Sequence, residues 1–287
     1  MIAVRLCGGL GNQLFQYAAG RTLSLLHDTD LVIDTSWYDS IPFGDTPRSM
    51  YLDRLRVVAR RPSSGEALRF RLHNGRVVGR LPIPRSMRQV RERSFGFDYS
   101  VLEAGDNSYL YGYWQSYRYF ESHGGLIAAE VVSRDSPSGR YSTLVSEVLE
   151  RESVSVHVRR GDYVANPNAA RVHGLCSPDY YARALQVVRM RLKDPLYCIF
   201  SDDIEWARDN IHVPGDVRHI GDTQYDTTVE DMNLMAHCHH HVIANSSFSW
   251  WGAWLGSARG GNVFAPAQWF TDGRDSSDLC PPSWVRL

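Results

Sequence analysis

Short apolar runs that end in glycine or polar clusters alternate along this chain with longer stretches whose apolar residues recur every three or four positions. The opening "IAVRL" reads as a buried strand, and "CGGLGNQ" as the glycine-rich turn behind it. From Asn12 onward, Phe15, Ala18, Ala19, Thr22, Leu25 and Leu26 recur at helical spacing. "DLVID" (Asp30 to Asp34) follows as a second strand, and such a βαβ opening implies a parallel sheet. The polar stretch from Ser133 to Arg140, with its proline and glycine, is the best linker candidate. Beyond it the alternation is regular. "SVSVHV", "LYCIF", "VRHI" and "HVIA" are predicted strands; "DIEWARDNI", "TVEDMNLMAHC" and "SSFSWWGAWLG" are predicted helices. "SPDYYARALQVVRMRL" is a further helix, with Ser177 as N-cap, Pro178 at its first position and Asp179 in its first turn. The pattern predicts an α/β chain of two Rossmann-like domains facing across a cleft, residues 1–138 and 139–287.

The middle is harder to read. From Arg60 to Arg93 the chain is rich in arginine with weak periodicity, which suits solvated helices and loops; a basic surface for a charged acceptor or a lipid headgroup is the alternative. "YLYGYWQSYRYF" (Tyr109 to Phe120) is unusually aromatic. No repeat or low-complexity tract is present.

Composition narrows the classes. The chain has 287 residues, 43% hydrophobic and 22% charged, which suffices for a real core. A net charge of −1 supplies no global field to draw it onto nucleic acid or an acidic membrane. Any bound anion therefore needs a local site. Five scattered cysteines form no CxxC pair, as expected of free thiols in a reducing compartment. Without a basic leader or an apolar run long enough to span a bilayer, a cytoplasmic location is expected, at most peripheral to the inner membrane.

Four stretches carry chemistry. In "SVSVHVRRGDY" the alternation puts Val154, Val156 and Val158 on one strand face and Ser155, His157 and Arg159 on the other. Gly161 then gathers Arg159, Arg160 and Asp162 at the carboxyl end, where open α/β sheets bind ligands. A guanidinium there can grip a phosphate through two parallel hydrogen bonds; a surface Arg–Asp ion pair is the competing reading. In "IANSSFSWWGAW", Asn245, Ser246 and Ser247 precede a helix whose N-terminus can hold an anion, and plain capping explains the serines equally. Trp250, Trp251 and Trp254 are read as packing residues. "GGLGNQ" is neither a dinucleotide fingerprint nor a P-loop, but it lets backbone approach a ligand closely. In "FSDD", Ser201, Asp202 and Asp203 follow a strand, so a carboxylate there can accept from guanine or ribose donors or cap the next helix at Asp202. "HCHHH" (His237 to His241) lacks a second ligand pair at zinc spacing, and no metal is expected there.

Taken together, "GGLGNQLFQYAAGR", "YGYWQSYRYF", "HVRRGDYV" and "EDMNLMAHCHHHVIANSSFSWWGAWL" resemble the α-1,2-fucosyltransferases of glycosyltransferase family eleven, including those of bacterial surface-glycan and O-antigen biosynthesis. "GLCSPDYYARAL" also fits, whereas Arg54 to Asn107 is uncovered. Leu14, where the family often carries methionine, and "MYLDRL" (Met50 to Leu55) depart mildly and bear on acceptor details. The resemblance implies a GT-B-like fold and GDP-fucose as donor substrate. It implies an inverting transfer, without metal or other cofactor, to the 2-hydroxyl of a galactose-type oligosaccharide or lipid-linked glycan. On that footing Arg159 meets the β-phosphate. Ser246, Ser247 and Phe248, preceded by Asn245, complete the diphosphate cradle with Gly9, Gly11, Asn12 and Gln13. His157, Ser201, Asp202 and Asp203, with Arg160 beside them, face ribose and guanine. Asp162 is either the general base or the group that orients Arg159 or Arg160. Trp114 and Gln115 are assigned to the acceptor. A transferase of another nucleotide sugar, or a non-catalytic glycan-binding protein built on the aromatic stretch, are the alternatives.

Overall fold

The computed structural model describes residues 1–74, 87–137, 139–221 and 225–287. It contains two compact units: Met1–Val132 with Ser277–Leu279, and Ser133–Ser276 with Cys280–Leu287.

The strands of the first unit are β1 (Ile2–Arg5), β2 (Leu31–Asp34), β3 (Arg88–Arg91) and β4 (Ser108–Tyr111), paired in parallel in the order β2-β1-β4-β3. β1 is central, and its wholly apolar "IAV" lies buried on both faces, as a strand inside a parallel sheet must. The helix α1 (Leu10–Leu26) starts at Leu10 rather than Asn12, because extended Gly9 already serves as its N-cap. β3 was not expected from the sequence. Its "RQVR" is an edge strand with exposed arginines, so it shows no apolar run. β4 lies hidden in the aromatic stretch, with Tyr109 and Leu110 fully buried. Short α2 (Ser36–Asp39), α3 (Ser64–Asn74) and α4 (Gly124–Glu130) complete this unit. The centre of the arginine-rich segment, 75–86, lies outside the described residues, as does Ser138 in the expected linker.

The second unit carries α5 (Gly139–Glu150), β5 (Ser153–Val158), α6 (Gly161–Ala165), α7 (Pro167–His173), α8 (Pro178–Arg191), β6 (Leu196–Ser201), α9 (Ile204–Asn210), β7 (Val217–Ile220), α10 (Thr228–His237), β8 (His240–Val242), α11 (Ser247–Gly256), β9 (Val263–Ala265) and β10 (Val285–Arg286). All six strands run parallel, in the order β10-β9-β8-β5-β6-β7. With β5 counted first, this is the doubly wound Rossmann order, and the winding reverses between β5 and β8. Val154, Val156 and Val158 pack with Tyr180, Tyr181, Ala184, Leu185 and Val188 of α8 on one side of the sheet. A second cluster joins Leu196, Cys198 and Phe200 to Tyr141, Leu144 and Val148 of α5 and to Leu234 and Met235 of α10. Ser177 caps α8 by accepting from Tyr180 N at 3.2 Å, as the sequence predicts. Trp250 and Trp251 are fully buried packing residues.

The five residues of "HCHHH" diverge. His237 Nδ1 bonds the Asn233 carbonyl at 2.7 Å, His240 Nε2 lies 3.1 Å from Glu152, and His241 Nδ1 lies 2.7 Å from Ser155 Oγ. Each imidazole is spent on a different neighbour. No helix among the described residues is long and apolar enough to cross a membrane.

On α10, Asp231 accepts from Tyr141 Oη and from Thr227 Oγ1, the latter at 3.0 Å. Burial raises its pKa to about 6 despite both donors. A carboxyl whose folded pKa lies above its unfolded value loses stability as pH rises through the folded value. Asp231→Asn should therefore raise Tm at pH 8, with the gain shrinking to nothing near pH 4. Melting curves of the two proteins across that range check it, and an equal offset at every pH would contradict it.

Candidate active site

In the second unit, the loops after β5 and β8 leave the sheet where the winding reverses, the place where doubly wound sheets bind ligands. Arg159 is the first residue beyond β5. Its Nη2 donates to Asp162 Oδ1 at 2.6 Å, and its Nη1 lies 2.8 Å from Asp202 Oδ2. The guanidinium, 19% exposed, also lies 5.5 Å from the centre of the Tyr163 ring. One cation is thus held between two carboxylates and an aromatic ring. Arg160 is held separately, with Nε donating to Asp203 at 3.1 Å and the guanidinium 4.0 Å from the Trp206 ring.

Asp202 is the hub. Besides Arg159 it accepts from the Arg160 backbone N–H at 2.8 Å. Burial works to raise its pKa, but Arg159 and the N–H groups of Arg160 and Gly161 outweigh that and hold the carboxyl below its ordinary value. The glycine of "RRGD" has its reason here, since a Cβ on Gly161 would sit 2.6 Å from Asp202 Oδ2. The cap of α9 is Asp203, which accepts from Trp206 N at 3.3 Å, and not Asp202 as the sequence allowed. Ser201 Oγ accepts from Asp203 N at 3.0 Å and shapes the turn.

His157, next to last in β5, is buried beside Phe248, ring centres 5.7 Å apart. Burial pushes its pKa down to about 3, with Asp202 opposing and Arg159 assisting, so the ring is neutral. Its Nδ1 is buried without a hydrogen-bond partner among the described residues. On the β8 side, Ser246 occupies the N-cap of α11 without a side-chain capping bond, so the capping role open to it in the sequence is not used. Tyr163 Oη donates to the Asn245 carbonyl at 3.1 Å, tying the two loops together.

The family is now decidable. Residues 88–287 match the description "Glycosyl transferase family 11". This chain belongs to glycosyl transferase family 11. An Escherichia coli protein named alpha-1,2-colitosyltransferase is 33% identical over 100% of this chain and 99% of its own length. The O-antigen biosynthesis glycosyltransferase WbnK of Escherichia coli is 28% identical over 98% and 99%. Human galactoside alpha-(1,2)-fucosyltransferase 1 is 36% identical over 37% of this chain and 29% of its own.

In this family 11 chain the structure brings Arg159, Asp162, Asp202 and His157 together, with Arg160 and Asp203 as a neighbouring pair. It corrects three expectations. Gln13 is fully buried with its amide spent, donating to the Gly8 and Ser49 carbonyls at 3.0 and 2.8 Å and accepting from Tyr51 N at 2.9 Å, so it folds the loop. Asn245 is likewise consumed, donating to the His173 and Trp269 carbonyls at 2.7 and 3.2 Å. Trp114 is fully buried, with φ +57° and its backbone N–H donating to Glu92 at 2.9 Å, and offers no face to a sugar. Gly9, Gly11 and Asn12 lie at the start of α1 in the first unit, where Gln115 Nε2 donates to Asn12 Oδ1 at 2.7 Å. Sequence reasoning missed Tyr163 and Trp206, the rings beside the two arginines. The tyrosine directly after "RRGD" was the available signal.

Gly161→Ala should cost about 1–3 kcal/mol, the usual penalty for an atom forced into a filled site. In an Asp202→Ala background the same change should cost far less, because the clashing oxygen is gone. A double-mutant cycle by denaturant unfolding measures this, and additive costs would show that Asp202 is not what Gly161 makes room for.

Proposed function

We propose that this chain is an α-1,2-fucosyltransferase that moves L-fucose from GDP-fucose to the 2-hydroxyl of a galactose-type residue in a surface glycan, with inversion and without a metal ion. The second unit takes the donor and the first the acceptor. The observation that carries the reading is the doubly paired guanidinium of Arg159 at the reversal point of the second sheet.

The chemistry follows from charge. As the fucose–phosphate bond breaks, GDP gains negative charge that fixed positive groups must meet. Arg159 is charged, aimed by two carboxylates and only partly solvated. The N-terminus of α11, beyond β8, adds the positive end of a helix dipole. Asp202 and Asp203 already have arginine partners, which argues against their serving as ligands to a cation. Asp162 is better suited to orienting Arg159 than to taking a proton, since its Oδ1 accepts from the guanidinium. The unpartnered Nδ1 of His157 suits a hydroxyl of the donor.

A second reading concerns the sugar, because a relative matched along its whole length is named for colitose. Colitose is fucose without its 3-hydroxyl. A site that hydrogen-bonds that hydroxyl would reject the analogue by roughly 10⁴–10⁵, whereas a site that leaves it untouched would accept both. Purified protein with EDTA, a panel of β-galactosides and either GDP-fucose or GDP-colitose decides between them, with higher kcat/KM for GDP-fucose expected and the reverse order favouring colitose. Loss of transfer in EDTA would contradict the metal-free reading. Arg159→Ala should stay folded and lose roughly 10²–10³ in kcat. Retention of more than about a tenth would contradict the role given to Arg159.

A further inference from the structure

In the first sheet β1 and β4 lie side by side, and a pocket of about 160 Å³ opens beyond their carboxyl ends. One water needs on the order of 10–15 Å³, so this space holds a molecule larger than solvent. Arg5, at the end of β1, and Tyr111, at the end of β4, line it together with Cys7, Trp37, Asp45 and Tyr113.

Two features mark it as built for a ligand. The Arg5 guanidinium lies 4.7 Å from the centre of the Tyr111 ring, its Nε is buried without a hydrogen-bond partner, and among the described residues it has no ion pair. Asp45 lines the same pocket, and its carboxylate has neither an ion pair nor a hydrogen bond among the described residues. The buried Nε leaves a donor to be satisfied by something else, and exposed Asp45 adds an uncommitted acceptor beside it. The second feature is the loop that carries Asp45. Asp45 N donates to the Pro42 carbonyl at 3.1 Å, closing a tight turn with Gly44 at φ +92°, a conformation that favours glycine. That turn fixes Asp45 at the pocket and leaves Phe43 between them fully exposed.

We infer that this pocket binds a neutral pyranose ring of the glycan acceptor, with Arg5 and Asp45 taking its hydroxyls and the rings of Trp37 and Tyr113 its apolar face. The inference rests on the transferase reading for the origin of the sugar. One charge of each sign suits a polyol, which both donates and accepts; an acidic sugar would meet Asp45. The assignment replaces Trp114, which is buried, and Gln115, which is committed to Asn12.

The test titrates methyl β-D-galactopyranoside and, separately, GDP-fucose into the full-length protein and into Arg5→Ala and Asp45→Asn, following binding by saturation-transfer NMR and calorimetry. Circular dichroism reports folding, and the exposed Asp45 position gives a variant that does not depend on tolerance at β1. The galactoside Kd should rise at least about tenfold in each variant, as expected for a lost hydrogen bond to a charged group, with the GDP-fucose Kd unchanged. Unchanged galactoside affinity in the folded variants, no galactoside binding by the wild type, a parallel loss of GDP-fucose, or tighter binding of methyl β-D-galacturonide would each overturn the pocket. Galactoside binding without any GDP-fucose binding would instead overturn the donor reading and leave the pocket standing.

Discussion

The second unit turns on one interaction, the grip of Asp162 and Asp202 on Arg159. A largely buried guanidinium at a strand end is costly to desolvate unless its donors are taken, and two carboxylates supply that compensation. Asp202 does more, because it also accepts from the backbone just beyond Arg159 and so bends the chain into α6. That bend is possible only because residue 161 has no side chain to meet the carboxylate. The "RRGD" of β5 and the "SDD" of β6 are therefore one structural device made by two adjacent parallel strands. The neighbouring Arg160–Asp203 pair repeats it on a smaller scale.

The two sheets share a logic. In each, the first and the fourth strand in chain order lie side by side, β1 with β4 in one and β5 with β8 in the other. "GGLGNQ" and "RRGD" follow the first strands, and "YGYWQ" and "NSSFS" follow the fourth. The four stretches thus follow the paired inner strands of the two sheets, at the ends where parallel sheets leave room for ligands. Within each unit a side chain ties the pair of loops together: Gln115 to Asn12 in the first, Tyr163 to the Asn245 carbonyl in the second.

Much of this was legible beforehand, and the gaps have physical causes. Apolar runs flanked by glycine located β1, β2, β5 and β6, and the Ser-Pro-Asp start located α8, because burial and capping act within a few residues. β3 escaped because an edge strand can afford arginines. The strand-end placement of Arg159 was readable, but its second carboxylate lies 43 positions away, and only the pairing of β5 with β6 brings it near. Gln13, Asn245 and Trp114 carry chemistry that suits a ligand equally well, and each is consumed inside the fold. Which polar group faces a site and which holds a loop is a tertiary fact. Arg5 was overlooked for the converse reason, since a lone arginine ending an apolar strand looks like any surface charge.

The central claim is that a guanidinium at position 159 takes up the charge of the departing nucleotide, and chemical rescue tests it most directly. Arg159→Ala protein would be assayed for sugar transfer with increasing free guanidinium, and in parallel with manganese. The account predicts a saturable return of kcat with guanidinium and none with the metal. Activity that returns with manganese while guanidinium does nothing would contradict it.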